Sequence, residues 1–489
     1  MIEYCKRHKE FVGICIVLLI YNIWCLFFRT FIYDEYWTFN QFISNGFGYV
    51  YTHYNPSNHM FYSELATLIY AITGNVLFSM RIIPCVCSLV NIFLLYYLCY
   101  KFFGKWESVG AVLIYLGNWM VNSKLVMGRG YTLSMTFFFL VIILLYHICH
   151  SEKVTKRWYI GFILCSILGI HTLLSFGYYL AIICSVSGIF LFLYHRDRII
   201  PLCISCICCI IGSFLLWMPM LIVQGCENCN YDVSTFFFSD PSTMDKVLHS
   251  GLQDVFQNRW ILENSGKTIW ECCVHIWQTI GNVFPIYPHV SSCLVLIICF
   301  LGCCLQKNKQ SSLYIRLLIG LSLPITLILM ILQGITPYYR IYIYLAVPIS
   351  LGVASILHFI IDWKYQKVIT YACYILFCYF IVSLHYDYFE NSYLHDTKFQ
   401  KITTIIPWKS MKTICSCSKY SFVYLDFYSK IYHKQFKVDI HYPDVLLVYG
   451  EKLKDKEWLI PYEKLPWKWA YSAMYCAYRD DYWIVYIRR

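Results

Sequence analysis

The sequence is poor in charged residues. Only 14% of its 489 residues are Asp, Glu, Lys or Arg, against about 25% in ordinary soluble domains. Hydrophobic residues make up 59% of the chain. Apolar runs of roughly 18 to 24 residues recur, long enough to cross a hydrocarbon core of about 30 Å. This excludes a soluble globular protein and predicts an integral membrane protein.

Internal repeats, low-complexity linkers and long basic stripes are also missing. The formal net charge is +11, but much of the excess lies in short loops between apolar runs, where membrane proteins keep cytoplasmic lysines and arginines. The charge therefore gives no indication of a nucleic-acid partner. No small-residue cleavage site follows the first apolar run, which indicates a retained signal anchor.

A disulfide framework is not evident either, although the chain has 26 cysteines. Most of them lie inside apolar runs, where cysteine behaves as a small hydrophobic residue. Cys226 and Cys229 differ, because they form a C-x-x-C in a polar stretch that we place outside the cytoplasm. Free thiols or a simple disulfide are the favoured interpretations of this pair, and a redox site or metal half-site is the less favoured one.

About eleven apolar segments are long enough to be spans. With the basic N-terminus in the cytoplasm, every predicted cytoplasmic turn carries lysine or arginine, so the orientation is internally consistent. An odd number of spans leaves the C-terminal segment outside the cytoplasm. The predicted spans are residues 11–30, 82–100, 108–123, 130–149, 158–173, 174–194, 199–222, 289–305, 311–332, 340–361 and 367–384.

The composition divides the chain into two expected domains. Residues 1–384 form a transmembrane domain with a structured first outer loop at 31–81. Within that loop, residues 59–73 are apolar but too short to span, which predicts a helix lying at the membrane interface. Residues 385–489 predict a small extracytoplasmic α/β domain, because charges become frequent and short β-branched and aromatic runs read as strands. These runs are 421–427, 444–450 and 481–488.

An acid pair, Asp34 and Glu35, follows the first span. A carboxylate at the point where a spanning helix meets the lipid headgroups costs free energy unless it is solvated, paired with a cation or used in binding or catalysis. The same outer loop contains Asn58, His59 and Glu64. Each of these has an ordinary explanation as a helix cap or a solvated side chain. Together they bring several polar groups into one interfacial loop.

Two arginines lie at the predicted outer ends of later spans, although basic residues are usually concentrated on the cytoplasmic side. Arg129 lies in the motif G-R-G-Y, and Arg340 lies in the motif P-Y-Y-R. Contacts with lipid headgroups would explain both. The alternative is that both face inward and bind an anionic, lipid-linked ligand, since guanidinium groups suit phosphates and carboxylates.

These motifs, taken in order, resemble the glycosyltransferase C group. The acid pair is followed by N-P-S-N-H-M-F-Y-S-E-L, by M-R-I-I-P at the second span and by G-R-G-Y-T-L. The pattern is most similar to bacterial family-39-like transferases, relatives of protein mannosyltransferases and of the aminoarabinose transferase of lipid A. The resemblance covers roughly residues 10–195 motif by motif and continues as topology to about residue 384.

The resemblance implies a polytopic α-helical enzyme of glycosyltransferase C type that uses a polyprenyl-phosphate-linked sugar at the outer membrane face. It places the catalytic acid on Asp34, with Glu35 as its companion. It assigns Arg129, Tyr131 and Arg340 to the phosphate of the donor. The expected location is a bacterial cytoplasmic membrane, and the expected acceptor is a glycan, a lipid or a protein.

Three residues of the first outer loop, Asn58, His59 and Glu64, are expected to orient the acceptor or to help hold a divalent cation. The sequence does not decide between a metal-dependent and a metal-independent reaction. Some relatives carry an aspartate shortly after the arginine, where this chain has the stretch from Tyr131 to Ser134 with no acid.

The functional hypothesis is transfer of a sugar to an acceptor hydroxyl with inversion at the anomeric carbon, with Asp34 as general base. A phosphate leaving group needs no general acid, so one carboxylate suffices where glycoside hydrolases use two. A transporter or flippase for a lipid-linked saccharide is the alternative. It is less favoured because the polar groups gather at outer helix ends and not near mid-membrane.

Overall fold

The computed structural model describes residues 7–29, 31–53, 55, 57–256, 264–284, 286–305, 310–360, 368, 372, 375, 394–416, 419–431, 434–438, 443–449, 474–479 and 483–488. The chain divides into two compact units. The first unit comprises residues 1–27 and 46–384, and the second comprises residues 28–45 and 385–489. This division differs from the predicted one at residues 28–45, which pack with the C-terminal residues.

Helices form most of the described chain, and one small sheet lies in the second unit. In chain order the elements are α1 (Lys9–Phe28), α2 (Tyr33–Gln41), α3 (Phe47–Thr52), α4 (Met60–Thr73), α5 (Val76–Phe102), α6 (Lys105–Gly117), α7 (Trp119–Asn122), α8 (Tyr131–His150), α9 (Lys156–Thr172), α10 (Phe176–Tyr194), α11 (Ile199–Asn228), α12 (Pro241–Phe256), α13 (Ile269–Gly281), α14 (Pro288–Cys304), α15 (Gln310–Gln333), α16 (Ala346–Ile360), α17 (Leu394–Ile405), β1 (Thr413–Ser416), α18 (Lys419–Ile431), β2 (Lys437–Val438), β3 (Val445–Tyr449), β4 (Met474–Arg479) and β5 (Trp483–Arg488).

Seven helices in the described part of the chain are long and apolar enough to cross a membrane. Four of them are α1, α5, α8 and α10. The other three are α11 with the turn before it, α15, and α16 with the turn before it. The predicted class, a polytopic helical membrane protein with a small C-terminal sheet domain, is therefore confirmed, whereas the predicted count of eleven spans is not.

Some predicted spans are interrupted, lie at the lower length limit for a span or fall outside the described residues. The segment predicted at 108–123 breaks after Gly117, because Asn118 leaves helical geometry and its Oδ1 accepts a hydrogen bond from the backbone N–H of Met120 at 2.9 Å. Helices α9 and α14 have 17 residues each, at the lower limit for a span. The span predicted at 367–384 lies outside the described residues, apart from three single positions.

The helix predicted at 59–73 is present as α4. It ends at Gly74, which adopts a left-handed conformation with φ 61°, and such a conformation favours glycine. Asn75 then caps α5, since its Oδ1 accepts from the backbone N–H of Phe78 at 3.0 Å. One face of α4 is buried and carries Glu64. The helix therefore brings polar residues such as Glu64 into the interior of the first unit.

Asparagine side chains tie the neighbouring helices of the first unit together. Asn22 of α1 donates to Ser88 Oγ on α5 at 2.7 Å. Asn91 of α5 donates to the carbonyl of Thr132 at 2.9 Å and accepts from Thr136 Oγ1 at 2.8 Å. Cross-helix hydrogen bonds of this kind hold helices together where no hydrophobic effect acts between them. The bonds to Asn91 fix the first turns of α8, directly after the G-R-G-Y motif.

The second unit contains a five-stranded sheet with the order β2-β1-β3-β5-β4. Strand β1 pairs in parallel with β2 and β3, and β5 pairs antiparallel with β3 and β4. The strands predicted at 444–450 and 481–488 are confirmed as β3 and β5. The strand predicted at 421–427 is wrong, because those residues lie in helix α18. Its buried residues Ser421, Tyr424, Leu425 and Tyr428 recur at helical spacing.

Helix α2 packs on α18 within the second unit. The hydroxyl of Tyr36 is 3.0 Å from that of Tyr428, and Asn40 Nδ2 donates to the carbonyl of Val423 at 2.8 Å. The Tyr36 ring meets the Phe427 ring edge to face with centroids 4.6 Å apart. Aromatic packing and cross-helix hydrogen bonds therefore hold the helix that follows the first span against the C-terminal residues of the chain.

The C-x-x-C pair lies at the end of α11 and not in a separate loop. Cys226 is buried on the last turn of this helix, and Cys229 is exposed just beyond it. Both are free thiols, which agrees with one of the two favoured interpretations of this pair.

Candidate functional site

A cavity of about 920 Å³ lies in the first unit. Five residues singled out from the sequence line it, namely Asn58, His59, Arg129, Tyr131 and Arg340. They come from the start of α4, the start of α8 and the turn before α16. The other polar or aromatic lining residues include Ser57, His171, Thr172, Ser175, Tyr178, Trp217, Gln333 and Tyr338. The structure thus brings the two arginines of distant motifs to one cavity.

The G-R-G-Y motif is built around His59. The backbone N–H of Gly130 donates to His59 Nδ1 at 2.8 Å. A Cβ atom on Gly130 would lie 2.9 Å from both His59 Cβ and Thr172 Cγ2, closer than side chains pack, so the position requires glycine. The Tyr131 ring meets the imidazole edge to face, with centroids 4.7 Å apart. This close approach places Arg129 beside the imidazole.

His59 lies against a guanidinium group. Arg129 Nη2 is 3.3 Å from His59 Nε2, and both residues are 2% exposed. Burial, followed by the charges of Arg129, Arg340 and Lys124, lowers the pKa of His59 well below its usual value of 6.5. Since Nδ1 accepts from Gly130, the neutral ring carries its proton at Nε2, the nitrogen that faces Arg129. Two N–H donors therefore face each other across 3.3 Å and cannot hydrogen-bond to one another. An anionic oxygen that accepts from both would relieve this opposition.

Lys124 is a basic residue that the sequence analysis missed. It is 5% exposed, and its ammonium lies 5.6 Å from the centroid of the Tyr131 ring. Its carbonyl accepts a hydrogen bond from Thr132 Oγ1 at 2.8 Å. A lysine just before G-R-G-Y in an otherwise apolar stretch was the available signal. With Arg129 and Arg340, it makes three cationic groups whose charge acts on His59.

Glu64 and His171 form a buried pair beside the cavity. His171 Nε2 lies 2.8 Å from Glu64 Oε1, and the two residues are 2% and 7% exposed. His171 lines the cavity. The sequence analysis singled out Glu64 as an orienting residue or a metal ligand but did not pair it with His171, because the pair joins α4 to the last turn of α9.

The acid pair belongs to the second unit, in the first turn of α2. Asp34 is half-buried, and its carbonyl accepts a hydrogen bond from Thr38 Oγ1 at 2.8 Å. Glu35 is fully buried, and its Oε2 accepts from the backbone N–H of Ile32 at 3.1 Å, so it holds the start of α2. That Asp34 acts on a ligand in the cavity of the first unit stays a prediction.

The described residues contain no group of three or more His, Cys, Asp or Glu side chains placed to hold a metal ion. Of the three candidate ligands, His59 contacts Gly130 N and Arg129, and Glu64 contacts His171. Asn58 Nδ2 donates to the carbonyls of Val50 and His53. These contacts do not fit a cation site, because an arginine faces one nitrogen of the imidazole.

The buried His59 predicts a dependence of stability on pH. Its pKa is lower in the folded state than in the unfolded chain, so the unfolded chain binds more protons below about pH 6.5. The free energy of unfolding should therefore fall on acidification below that pH, by at most roughly 1.4 kcal/mol per pH unit for one group. Thermal unfolding of the purified protein between pH 7.5 and 5 measures this effect.

The control for that measurement is His59→Asn, because an asparagine oxygen can accept from Gly130 N in place of Nδ1 and does not titrate. This variant should show a shallower loss of stability with acid than the wild type. Identical slopes for the two proteins would contradict the assignment of a buried neutral imidazole.

Comparisons with known proteins found a matching family model for part of the chain and solved structures of similar fold. Residues 60–222 match the family model described as dolichyl-phosphate-mannose-protein mannosyltransferase. No curated protein sequence matches the chain. Among solved structures, ArnT from Cupriavidus metallidurans bound to undecaprenyl phosphate is similar over 99% of this chain and 98% of that chain, with 12% identity and a TM-score of 0.51.

A second solved structure is similar as well. The oligosaccharyltransferase of Archaeoglobus fulgidus, solved with Zn and sulfate, matches over 90% of this chain and 68% of its own, with 10% identity and a TM-score of 0.50. At these identities the likeness is one of fold. The resemblance inferred from the motifs is thereby confirmed: the chain is a multi-span membrane protein with the glycosyltransferase C fold and a small C-terminal sheet domain.

Proposed function

We propose that this protein is a membrane glycosyltransferase that moves a sugar from a polyprenyl-phosphate donor to an acceptor hydroxyl at the outer face of a bacterial cytoplasmic membrane. The observation that carries the proposal is the meeting of Arg129, Arg340 and His59 at one cavity of a glycosyltransferase C fold. A cavity with buried cationic donors, in a protein with apolar spans, suits an anionic group on a lipid chain.

The phosphate of the donor lies between the two arginines in this proposal. Arg129 and the Nε2–H of His59 supply donors 3.3 Å apart, and Arg340 adds a second guanidinium on the same cavity. Tyr131 lines the cavity beside the imidazole. As the sugar leaves, charge grows on the departing polyprenyl phosphate, and donors fixed beforehand stabilise that charge without reorganisation.

Asp34 is the general base of the proposed reaction. It takes the proton from the acceptor hydroxyl as the hydroxyl oxygen attacks the anomeric carbon and the bond to phosphate breaks. A single displacement inverts the configuration at that carbon. Glu35, whose carboxylate holds the backbone of Ile32, fixes the helix turn that presents Asp34. The support for this role is the position of Asp34 after the first span, in the order of motifs that the resemblance gives.

The orientation is part of the proposal. Basic residues at the N-terminus and in the predicted cytoplasmic turns favour a cytoplasmic N-terminus, which leaves the cavity and the sheet domain outside. The acceptor is then a glycan, a lipid or a protein that is exposed at that face.

Donor turnover tests the proposal. The purified protein is incubated with undecaprenyl phosphates that carry radiolabelled sugars, and the water-soluble and lipid-bound label are separated over time. The proposal expects consumption of a donor by transfer or by slow hydrolysis. Binding of the lipid-linked sugars with no consumption in the presence of glycan, lipid and peptide acceptors would contradict it and would support the transporter alternative.

A further inference from the structure

Three residues that line the cavity each have a buried polar atom with an unmet capacity for hydrogen bonding. Within the described ranges, His171 Nδ1, Asn58 Oδ1 and Ser175 Oγ are shielded from solvent and have no hydrogen-bond partner. All three residues line the cavity, and His171 and Asn58 are 2% and 8% exposed. A buried polar atom that lacks a partner is costly, so this set is suited to a ligand that completes it.

The hydrogen bond of His171 Nε2 to Glu64 determines whether the other ring nitrogen, Nδ1, donates or accepts. A carboxylate oxygen accepts hydrogen bonds, so Glu64 requires a proton on His171 Nε2, 2.8 Å away. In the neutral ring Nδ1 is then an acceptor. Glu64 therefore acts behind the cavity wall by fixing the tautomer and orientation of the imidazole.

Asn58 is fixed in the same way. Its Nδ2 group donates to the carbonyls of Val50 and His53, at 3.2 and 3.4 Å. The opposite amide orientation would set the side-chain oxygen against two carbonyl oxygens, so the oxygen is the free end of the amide. Asn58 thus presents a second acceptor. Ser175, which starts α10 without a side-chain capping bond, adds a hydroxyl that can donate or accept.

These groups match sugar hydroxyls and not phosphate. Acceptor atoms repel the oxygens of an anion but bind the O–H donors of a sugar. The set also adjoins the cationic groups: Asn58 precedes His59 in the chain, and Thr172, which follows His171, would contact a Cβ atom on Gly130 at 2.9 Å. A sugar attached directly to a phosphate requires this adjacency.

We propose that Asn58, His171 and Ser175 form the subsite for the sugar of the lipid-linked donor and bind its hydroxyl groups. This inference rests on the proposed function. Glu64 is a positioning residue in it, because it acts only through His171. The class of ligand is a neutral, hydroxyl-rich sugar, which the two fixed acceptors distinguish from the bare lipid phosphate.

The test compares binding of bare undecaprenyl phosphate with binding of the same lipid carrying glucose, mannose, galactose or N-acetylglucosamine. The wild type should bind at least one sugar-bearing form more tightly than the bare lipid. The variant His171→Gln keeps a donor toward Glu64 but removes the Nδ1 acceptor. It should lose about three- to tenfold in affinity for that form and leave the affinity for bare lipid unchanged. Ser175→Ala should show the same selectivity with a smaller loss.

A matched control is available in His358→Gln. His358 Nδ1 pairs with the buried Glu107 at 2.9 Å, and neither residue lines the cavity, so both affinities should stay at the wild-type values. The sugar subsite would be overturned if His171→Gln lowers the affinity for both lipid forms equally. It would also be overturned if neither His171→Gln nor Ser175→Ala changes the affinity for either form. If the wild type binds bare lipid but binds no sugar-bearing form more tightly, only the sugar subsite is overturned. If the wild type binds no form of the lipid, the proposed function is contradicted as well.

Discussion

Replacing Asp34 with asparagine should reduce sugar transfer by about 10²- to 10⁴-fold, the usual contribution of a general base. Asparagine has nearly the same shape as aspartate but cannot take a proton from the acceptor hydroxyl. In the proposed mechanism the phosphate leaving group needs no general acid, so Asp34 is the one carboxylate that acts in the transfer. Transfer of label from an undecaprenyl-phosphate sugar by equal amounts of folded protein measures the effect.

Glu35→Gln is the matched control, because it is the same carboxyl-to-amide change one residue along α2. Its amide oxygen can still accept from the backbone N–H of Ile32, the bond that Glu35 makes at 3.1 Å. We expect its activity to stay within about tenfold of the wild type, since one neutral hydrogen bond contributes only about 1 kcal/mol. Near-normal transfer by Asp34→Asn, or an equal loss in the two variants, would remove Asp34 from the role of base.

Arg340→Gln should lower transfer by about 10²- to 10³-fold, as the loss of one preorganised donor to a developing anion does elsewhere. It should also weaken binding of bare undecaprenyl phosphate, because in the proposed function the Arg340 guanidinium contacts the phosphate in the ground state too. Arg340 is the better of the two arginines for this test. It is only partly buried, whereas Arg129 is 2% exposed, so the substitution leaves no buried cavity. Affinity for the bare lipid and the transfer rate are both measured.

Arg196→Gln serves as the matched control for charge. Arg196 lies in the turn between α10 and α11, stacks over the Phe192 ring at 4.7 Å and does not line the cavity. It should leave both affinity and rate unchanged. A wild-type affinity for undecaprenyl phosphate in Arg340→Gln would contradict the placement of the phosphate at this cavity.

Local chemistry made part of this structure predictable. Helix α4 follows from a 15-residue apolar run that Gly74 and Asn75 terminate, and the strands β3 and β5 follow from β-branched runs. Arg129 and Arg340 could be singled out because basic residues are scarce at the predicted outer ends of the spans. Each of these signals lies within about a dozen residues of sequence, where spacing and residue type decide the outcome.

Contacts between distant segments were beyond the reach of sequence patterns. The pairing of Glu64 with His171 and the two contacts of His59 depend on how α4, α8 and α9 pack, which no local spacing encodes. The strand predicted at 421–427 was wrong because aromatic residues favour both strands and buried helix faces, and tertiary packing against α2 decides for the helix. The span count was not confirmed, since hydropathy continues past Gly117 although the helix does not.

The proposed function requires above all that Asp34 and the two arginines act on one ligand. A structure of the protein with bound undecaprenyl phosphate tests this directly through three distances: from the phosphate oxygens to the guanidinium groups of Arg129 and Arg340, and from the phosphate to the Asp34 carboxylate. We expect hydrogen-bond distances of about 3 Å from the phosphate to both arginines and an Asp34 carboxylate that opens onto the same cavity. A phosphate bound away from the arginines, or an Asp34 side chain directed away from that cavity, would contradict the proposed function.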